Sequence, residues 1–186
     1  MVKISNSLRL GNYGLSVSII ASNMNVKTSG VSSRIVGTNL HCCFLDFDCI
    51  SDDALQDELK WLQRVHKCGN FIVLKTSDIG RHAICLDAME PSEVFKVIMS
   101  SSCDEMFKTA PTMNPKRSWV LRCGKKGNRG APTYAFTVKS PYEGMNLQSL
   151  GHAKYLQTFG VKVKLKQPFG PNQVEIQTYY TTKKNV

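Results

Sequence analysis

Hydrophobic and polar positions fall into short alternating or continuous runs along this chain, and the runs predict strands interleaved with helices. "LSVSIIAS" (15–22) reads as a first strand, followed by a Ser-, Asn- and Gly-rich connection with a short edge strand near 33–37. "NLHCCFLDF" (39–47) is almost continuously apolar, which predicts a central strand covered on both faces. Ser51 before Asp52 and Asp53 starts a helix with apolar residues at 55, 59, 62 and 65 and Gly69 as its C-cap. "NFIVLKTS" and "RHAICLDA" predict a hairpin closed near Gly80, and Pro91 opens the helix "PSEVFKVIMSS". "RSWVLRCG" and "TYAFTVKS" predict a second hairpin across the loop "KKGNRGAP". "NLQSLGHAKYLQTFG" reads as a helix, and "VKVKLKQP" with "QVEIQTYYTT" as a final antiparallel pair. The expected class is α+β with mostly antiparallel sheets flanked by helices, in one domain over residues 1–186.

Charge divides this domain in a way the hydrophobic pattern does not. The formal net charge is +10, but residues 115–186 hold thirteen Lys or Arg against two acids, Glu143 and Glu175, so residues 1–114 are close to neutral. The expectation is a cation-holding part (1–114) and a basic part (115–186) facing a polyanion; the bland alternative is a generically basic surface. No apolar run is long enough to span a membrane. The N-terminus lacks a continuous apolar signal core, so an intracellular, cytoplasmic protein without a membrane partner is expected. Seven cysteines without a C-x-x-C pair read as reduced, buried thiols, and zinc held by His41, Cys42 and Cys49 is the less favoured alternative.

The residues that change the picture most are in "FLDFDCI" (44–50). Asp46 and Asp48 stand two apart in a strand, so both carboxylates leave the same face, and a divalent metal ion or a basic side chain is needed to offset their repulsion. Further on come "KTSDIGRHAI" with His82, then "SSCDEMF" with Asp104, then the basic "RSWVLRCGKK". Each has a plainer reading: a capping or loop-entry acid for the aspartates, a hydrogen-bonded strand histidine for His82, a solvated hairpin for the basic run.

Taken in order, these stretches resemble the archaeo-eukaryotic primase superfamily, the primase-polymerases. That family has a strand-borne acid-x-acid pair, a small-x-His motif on a later strand and a third acid followed by basic residues. The resemblance spans roughly residues 40–125 and implies a minimal catalytic core, two-lobed with an RRM-like unit, encoded by a plasmid, a virus or a cellular replication system. It implies a template-dependent nucleotidyltransferase, a DNA primase or polymerase. Asp46, Asp48 and Asp104 would be its catalytic and metal-holding residues, with Mg²⁺ or Mn²⁺ as the cofactor. His82, Arg81, Lys75, Arg122 and Lys125 would bind the nucleoside triphosphate, and Lys116, Arg117, Lys126 and Arg129 the single-stranded DNA template. A helicase or another replication protein is an expected partner. Trp119, Tyr134 and Phe136 lie in the basic region, where a ring could stack on a base, although alternation sends Trp119 and Phe136 toward the core. Two rivals stay open: an RRM-like module that binds a strand without catalysis, and a metal-dependent nuclease using the same carboxylates.

Overall fold

The computed structural model describes residues 2–10, 13–21, 24–113, 117–126 and 128–182, with side-chain surroundings for 29–111, 117–126 and 128–177. Strands β1 (Val2–Leu10) and β2 (Tyr13–Ala21) form an antiparallel two-stranded sheet of their own. The remaining strands among the described residues build one nine-stranded sheet: β3 (Met24–Ile35), β4 (His41–Asp48), β5 (Phe71–Lys75), β6 (Gly80–Met89), β7 (Val120–Arg122), β8 (Thr133–Val138), β9 (Gln148–Ser149), β10 (Pro168–Phe169) and β11 (Val174–Thr182). Helices α1 (Asp52–His66), α2 (Pro91–Ser100), α3 (Glu105–Met113) and α4 (Leu150–Gln157) connect them. Every pairing is antiparallel except β9 with β10, so the class is α+β. No helix among the described residues is long and apolar enough to cross a membrane.

At the centre, β6 lies between β4 and β5, and α1 and α2 follow β4 and β6 in the chain. This βαββα order is compatible with an RRM-like unit. Cys42, Cys43, Phe44 and Leu45 of β4 are fully buried, as its continuous apolar run requires when both faces are covered. One face takes Leu55, Leu59 and Leu62 of α1 and Val94, Val97 and Ile98 of α2 into the core. On the other face Phe44 meets the edge of His152 from α4 at 5.5 Å.

Several expectations need correction. β3 is a twelve-residue strand inside the sheet, between β4 and β11, and no edge strand at 33–37. Its serines resemble a loop in sequence, yet Ser32 and Ser33 are fully buried: Ser32 Oγ accepts the Arg34 N–H (3.3 Å), and Ser33 Oγ accepts the Trp119 N–H (3.2 Å) and bonds His41 Nδ1 (2.9 Å). The two basic-region strands do not pair with each other; β7 joins β3 and β8 joins β5, so the basic part completes the sheet of the acidic part. Residues 161–165 form no strand, and β11 pairs with β3 instead. α1 ends with Lys67 in the left-handed conformation (φ 52°), not at Gly69. Gly69 is needed elsewhere: its N–H donates to Asp87 Oδ2 at 2.8 Å, and a Cβ would stand 2.7 Å from Asp87 Oδ1. Val65 is exposed where the helical pattern expected burial. The tail TTKKNV (181–186), expected to be frayed, begins inside β11, where Thr181 pairs with Val26 and Thr182 with Met24; residues 183–186 and the side chains of Tyr179 and Tyr180 lie outside the described residues.

Two buried histidines knit the strands behind the acids. His152 Nδ1 bonds Ser149 Oγ (2.8 Å) and its Nε2 reaches the Ser32 carbonyl (2.8 Å), joining α4 to β3. Burial pushes both His41 and His152 down to about 4 from the ordinary 6.5. With folded values below the unfolded one, the unfolded chain takes up protons first on acidification. Their contribution is complete above pH 6.5 and is lost as pH falls toward about 4. Asp46 and Asp87, whose folded values are raised, act in the opposite sense. A His152→Asn variant isolates the histidine share: its urea midpoint should fall less steeply than the parent's between pH 6.5 and 4.

Candidate active site

β4 and β6 are held in a register that sets Asp46 opposite His82 and Asp48 opposite Gly80. Directly opposed residues share a face, so both acids and the imidazole leave the sheet on the same side. His82 Nε2 stands 3.5 Å from Asp46 Oδ1. At position 80 a glycine is required by space: a Cβ would stand 2.5 Å from Thr76 Oγ1 and 2.8 Å from Ser77 Oγ, on the way to Asp48 Oδ1 at 3.6 Å. Asp104 arrives from the far side of α2. Its N–H donates to the Asp46 carbonyl at 2.8 Å, while its Oδ1 accepts from Phe107 N–H at 2.9 Å and so starts α3. The plain capping reading of Asp104 is therefore realised, and its charge acts on Asp46.

The electrostatics follow from this crowding. Burial, then the neighbouring charges of Asp48 and Asp104, push Asp46 up to about 7. Arg122 and Lys126 pull it back in the other direction. His82 is buried to 3% exposure, and burial together with the Arg122 charge lowers it to about 3, so the ring is neutral. Its Nδ1 is buried with no hydrogen-bond partner among the described residues. A neutral ring has one donating and one accepting nitrogen, and Nε2 is the one at 3.5 Å from the Asp46 carboxylate.

The basic residues divide into those that reach this face and those that do not. Arg122 donates to the carbonyls of Gly124 (2.8 Å), Gly130 (2.7 Å) and Thr76 (2.9 Å), which folds the loop 124–130 against the turn before Gly80. Lys126 and Arg129 exchange backbone hydrogen bonds of 3.1 Å across that loop, and burial with the neighbouring Arg129 and Arg122 charges lowers the Lys126 ammonium, Asp46 and Asp48 acting in the other direction. Lys125 and Arg129 are exposed, and so is Arg117. Lys116 lies outside the described residues.

Arg81 and Lys75, both expected at the triphosphate, are directed elsewhere. They oppose each other across β5 and β6 on the face away from His82, because neighbours on a strand alternate sides. Arg81 Nε donates to Asp52 Oδ1 at 2.8 Å, and Nη1 donates to the carbonyls of Ser77 (3.1 Å) and Gly80 (2.9 Å). Lys75 pairs with exposed Asp78 at 3.3 Å. Arg81→Lys, which keeps the charge and loses the fork, should lower stability by about 1–2 kcal/mol in urea unfolding while leaving triphosphate affinity unchanged.

Among the aromatics, Trp119 is buried against the His41 ring and Phe136 is half-buried. Tyr134 is 44% exposed and shares the acid face through its pairing with Leu74. The zinc alternative gains no support: Cys42 Sγ points to the Leu86 carbonyl, His41 is bonded to Ser33, and Cys49 is exposed. All seven cysteines are free thiols, five of them buried. Among the described residues no group of three His, Cys, Asp or Glu side chains is drawn together tightly enough to hold a metal ion by itself. Sequence reasoning gave Lys126 to the template and Lys125 to the triphosphate. Of the two, Lys125 is exposed and Lys126 half-buried. Compared with protein-family models, with curated proteins and with solved structures, the chain matches none.

Proposed function

We propose that the protein is a metal-dependent nucleotidyltransferase of primase-polymerase type, extending a strand on a single-stranded DNA template from nucleoside triphosphates. The observation that carries this reading is the convergence of Asp46, Asp48 and His82 on one sheet face, with Asp104 hydrogen-bonded to the backbone of Asp46. The donor set suits Mg²⁺ or Mn²⁺: it is all carboxylate oxygen, and the repulsion that raises Asp46 is what a hard cation relieves. Two carboxylates with substrate phosphates and water are a sufficient set for such an ion, which fits a group that is incomplete on the protein alone. When bound, divalent ions would activate the attacking hydroxyl and offset charge on the phosphoryl oxygens.

The chain's own residues then have distinct tasks. Asp46 and Asp48 hold the cation on the sheet face, with the neutral His82 ring beside Asp46 at 3.5 Å. Asp104 adds negative charge at the same point while anchoring α3. Arg122 keeps the basic loop at the acids, where positive charge meets the polyphosphate. Tyr134 offers an exposed ring on this face for a template base.

That exposed ring and the βαββα order also favour a second reading, an RRM-like strand binder without catalysis. Product length separates the readings. A labelled primer on a longer single-stranded template, incubated with nucleotides and Mg²⁺ or Mn²⁺, is expected to lengthen. Shortening would make the protein a nuclease, and an unchanged primer held in a stable complex would make it a binder.

A further inference from the structure

The segment 161–165 alternates apolar and basic residues without joining a strand. Val161 is buried and Val163 and Leu165 are half-buried against the core, while Lys162 and Lys164 between them are exposed. With Ile72 of β5, Thr137 of β8 and Lys139 just beyond it, this segment borders a groove of about 120 Å³. The groove is on the acid face of the sheet: Ile72 lies two residues from Leu74, which opposes His82, and Thr137 opposes Ile72. Tyr134 opposes Leu74, and its hydroxyl bonds Thr137 Oγ1 at 3.2 Å. An exposed ring and the groove therefore follow one another along β8, which pairs with β5 alone among the described residues. Lys139, Lys162 and Lys164 are exposed at this groove and pair with no carboxylate among the described residues. The acid that lines it, Glu143, stands 3.8 Å from Lys166 Nζ.

We infer that this groove is a track for single-stranded nucleic acid, in which Lys139, Lys162 and Lys164 hold backbone phosphates and Tyr134 stacks on a base at the end nearer the acids. The inference rests on the single-stranded-DNA half of the reading above and not on nucleotidyl transfer. Residues two apart in an extended segment are about 7 Å apart, close to the separation of successive phosphates in an extended single strand, so Lys162 and Lys164 suit neighbouring phosphates. An RRM binds its strand on aromatic side chains of an open sheet face. Here α4 covers that face where His152 meets Phe44, which moves the strand to the β8 side. Asp46 and Tyr134 stand in one row across β4, β6, β5 and β8, three strand spacings or about 14 Å apart, which leaves room for a paired nucleotide between track and acids.

Binding of a fluorescent oligothymidylate to the full-length protein in chelator, followed by anisotropy over a salt series, tests the track without catalysis. Each phosphate neutralised on a single strand adds about 0.7 to the slope of log affinity against log salt. Replacing Lys139, Lys162 and Lys164 together by Gln should therefore flatten the slope by about 2, and each single replacement by about 0.7, which keeps the test open if the combined variant is unstable. Tyr134→Ala should weaken binding about tenfold at an unchanged slope, and Tyr134→Phe less than about threefold. As the control, Gln at Lys60, Arg64 and Lys96, exposed on α1 and α2 behind the sheet, should leave the slope within about 0.5 of the parent's. A groove variant with the parental slope, an equal loss in the control, or a parent that does not bind the oligonucleotide would overturn the inference. Primer extension on the same preparations separates the two readings. A flattened slope without incorporation keeps the track and removes the nucleotidyltransferase; incorporation with an unflattened slope does the reverse.

Discussion

Replacing Asp46 and Asp48 together by Asn should abolish nucleotide incorporation and, in chelator, leave the protein at least as stable as the parent. The two halves of this result have one cause. Burial, then the charges of Asp48 and Asp104, raise Asp46 to about 7 from 3.8. With the folded value above the unfolded one, the contribution of Asp46 to stability is full below pH 3.8 and is lost as pH rises to about 7, so at pH 8 the ionised carboxylate is a cost. About a third of the side chain is open to solvent, which screens the effect, and the gain on neutralisation is of the order of 1 kcal/mol. An amide at position 46 keeps the shape and size of the carboxylate, so the local packing survives. Incorporation should drop by about a thousandfold or more, since loss of even one charge-stabilising donor in an active site costs about a hundred- to a thousandfold. Primer extension and a thermal melt on the same preparation check both halves. A variant that unfolds, or one that stays active, would mean the acids are structural.

The second large effect lies in α4, remote from the acids in sequence and connected to them through packing. Gly151→Ala should cost about 3 kcal/mol or more, at the upper end of what overpacking produces. A Cβ at 151 would overlap the backbone carbonyl oxygen of Gln173 and stand 2.7 Å from its carbon and 3.0 Å from its nitrogen. Backbone atoms cannot rotate aside as a side chain can, so α4 must move off the strand that follows. His152, next in the helix, would be drawn away from the Ser32 carbonyl and from the ring of Phe44, two residues before Asp46. Gly130→Ala serves as the control: a Cβ there meets nothing within 4 Å, and stability should be unchanged within about 0.5 kcal/mol in urea unfolding.

The parts of the fold that the sequence displayed are those whose causes are local. β4 announces itself as an apolar run, α1 by Ser51 and the spacing of Leu55, Leu59 and Leu62, and α2 by Pro91. The alternation of strand side chains was enough to send Asp46 and Asp48 to one face, and the same rule, applied to Arg81 beside His82, would have kept Arg81 from the triphosphate. β3 was hidden because its buried Ser33 is satisfied by His41 and Trp119, partners 8 and 86 residues away. The hairpin expected across residues 117–139 failed for a similar reason: β7 and β8 find partners in β3 and β5, and no short-range signal carries that choice. At the site, strand alternation put Asp46 and Asp48 on one face and the family resemblance put His82 with them, while the three carbonyls gathered by Arg122 have no short-range signal.

The most direct measurement is the location of manganese in a crystal soaked with Mn²⁺ and a nucleoside triphosphate, read from its anomalous scattering. The account predicts density between the Asp46 and Asp48 carboxylates, with the triphosphate on the same face beside His82. Manganese and nucleotide bound elsewhere, with this face holding neither, would contradict it.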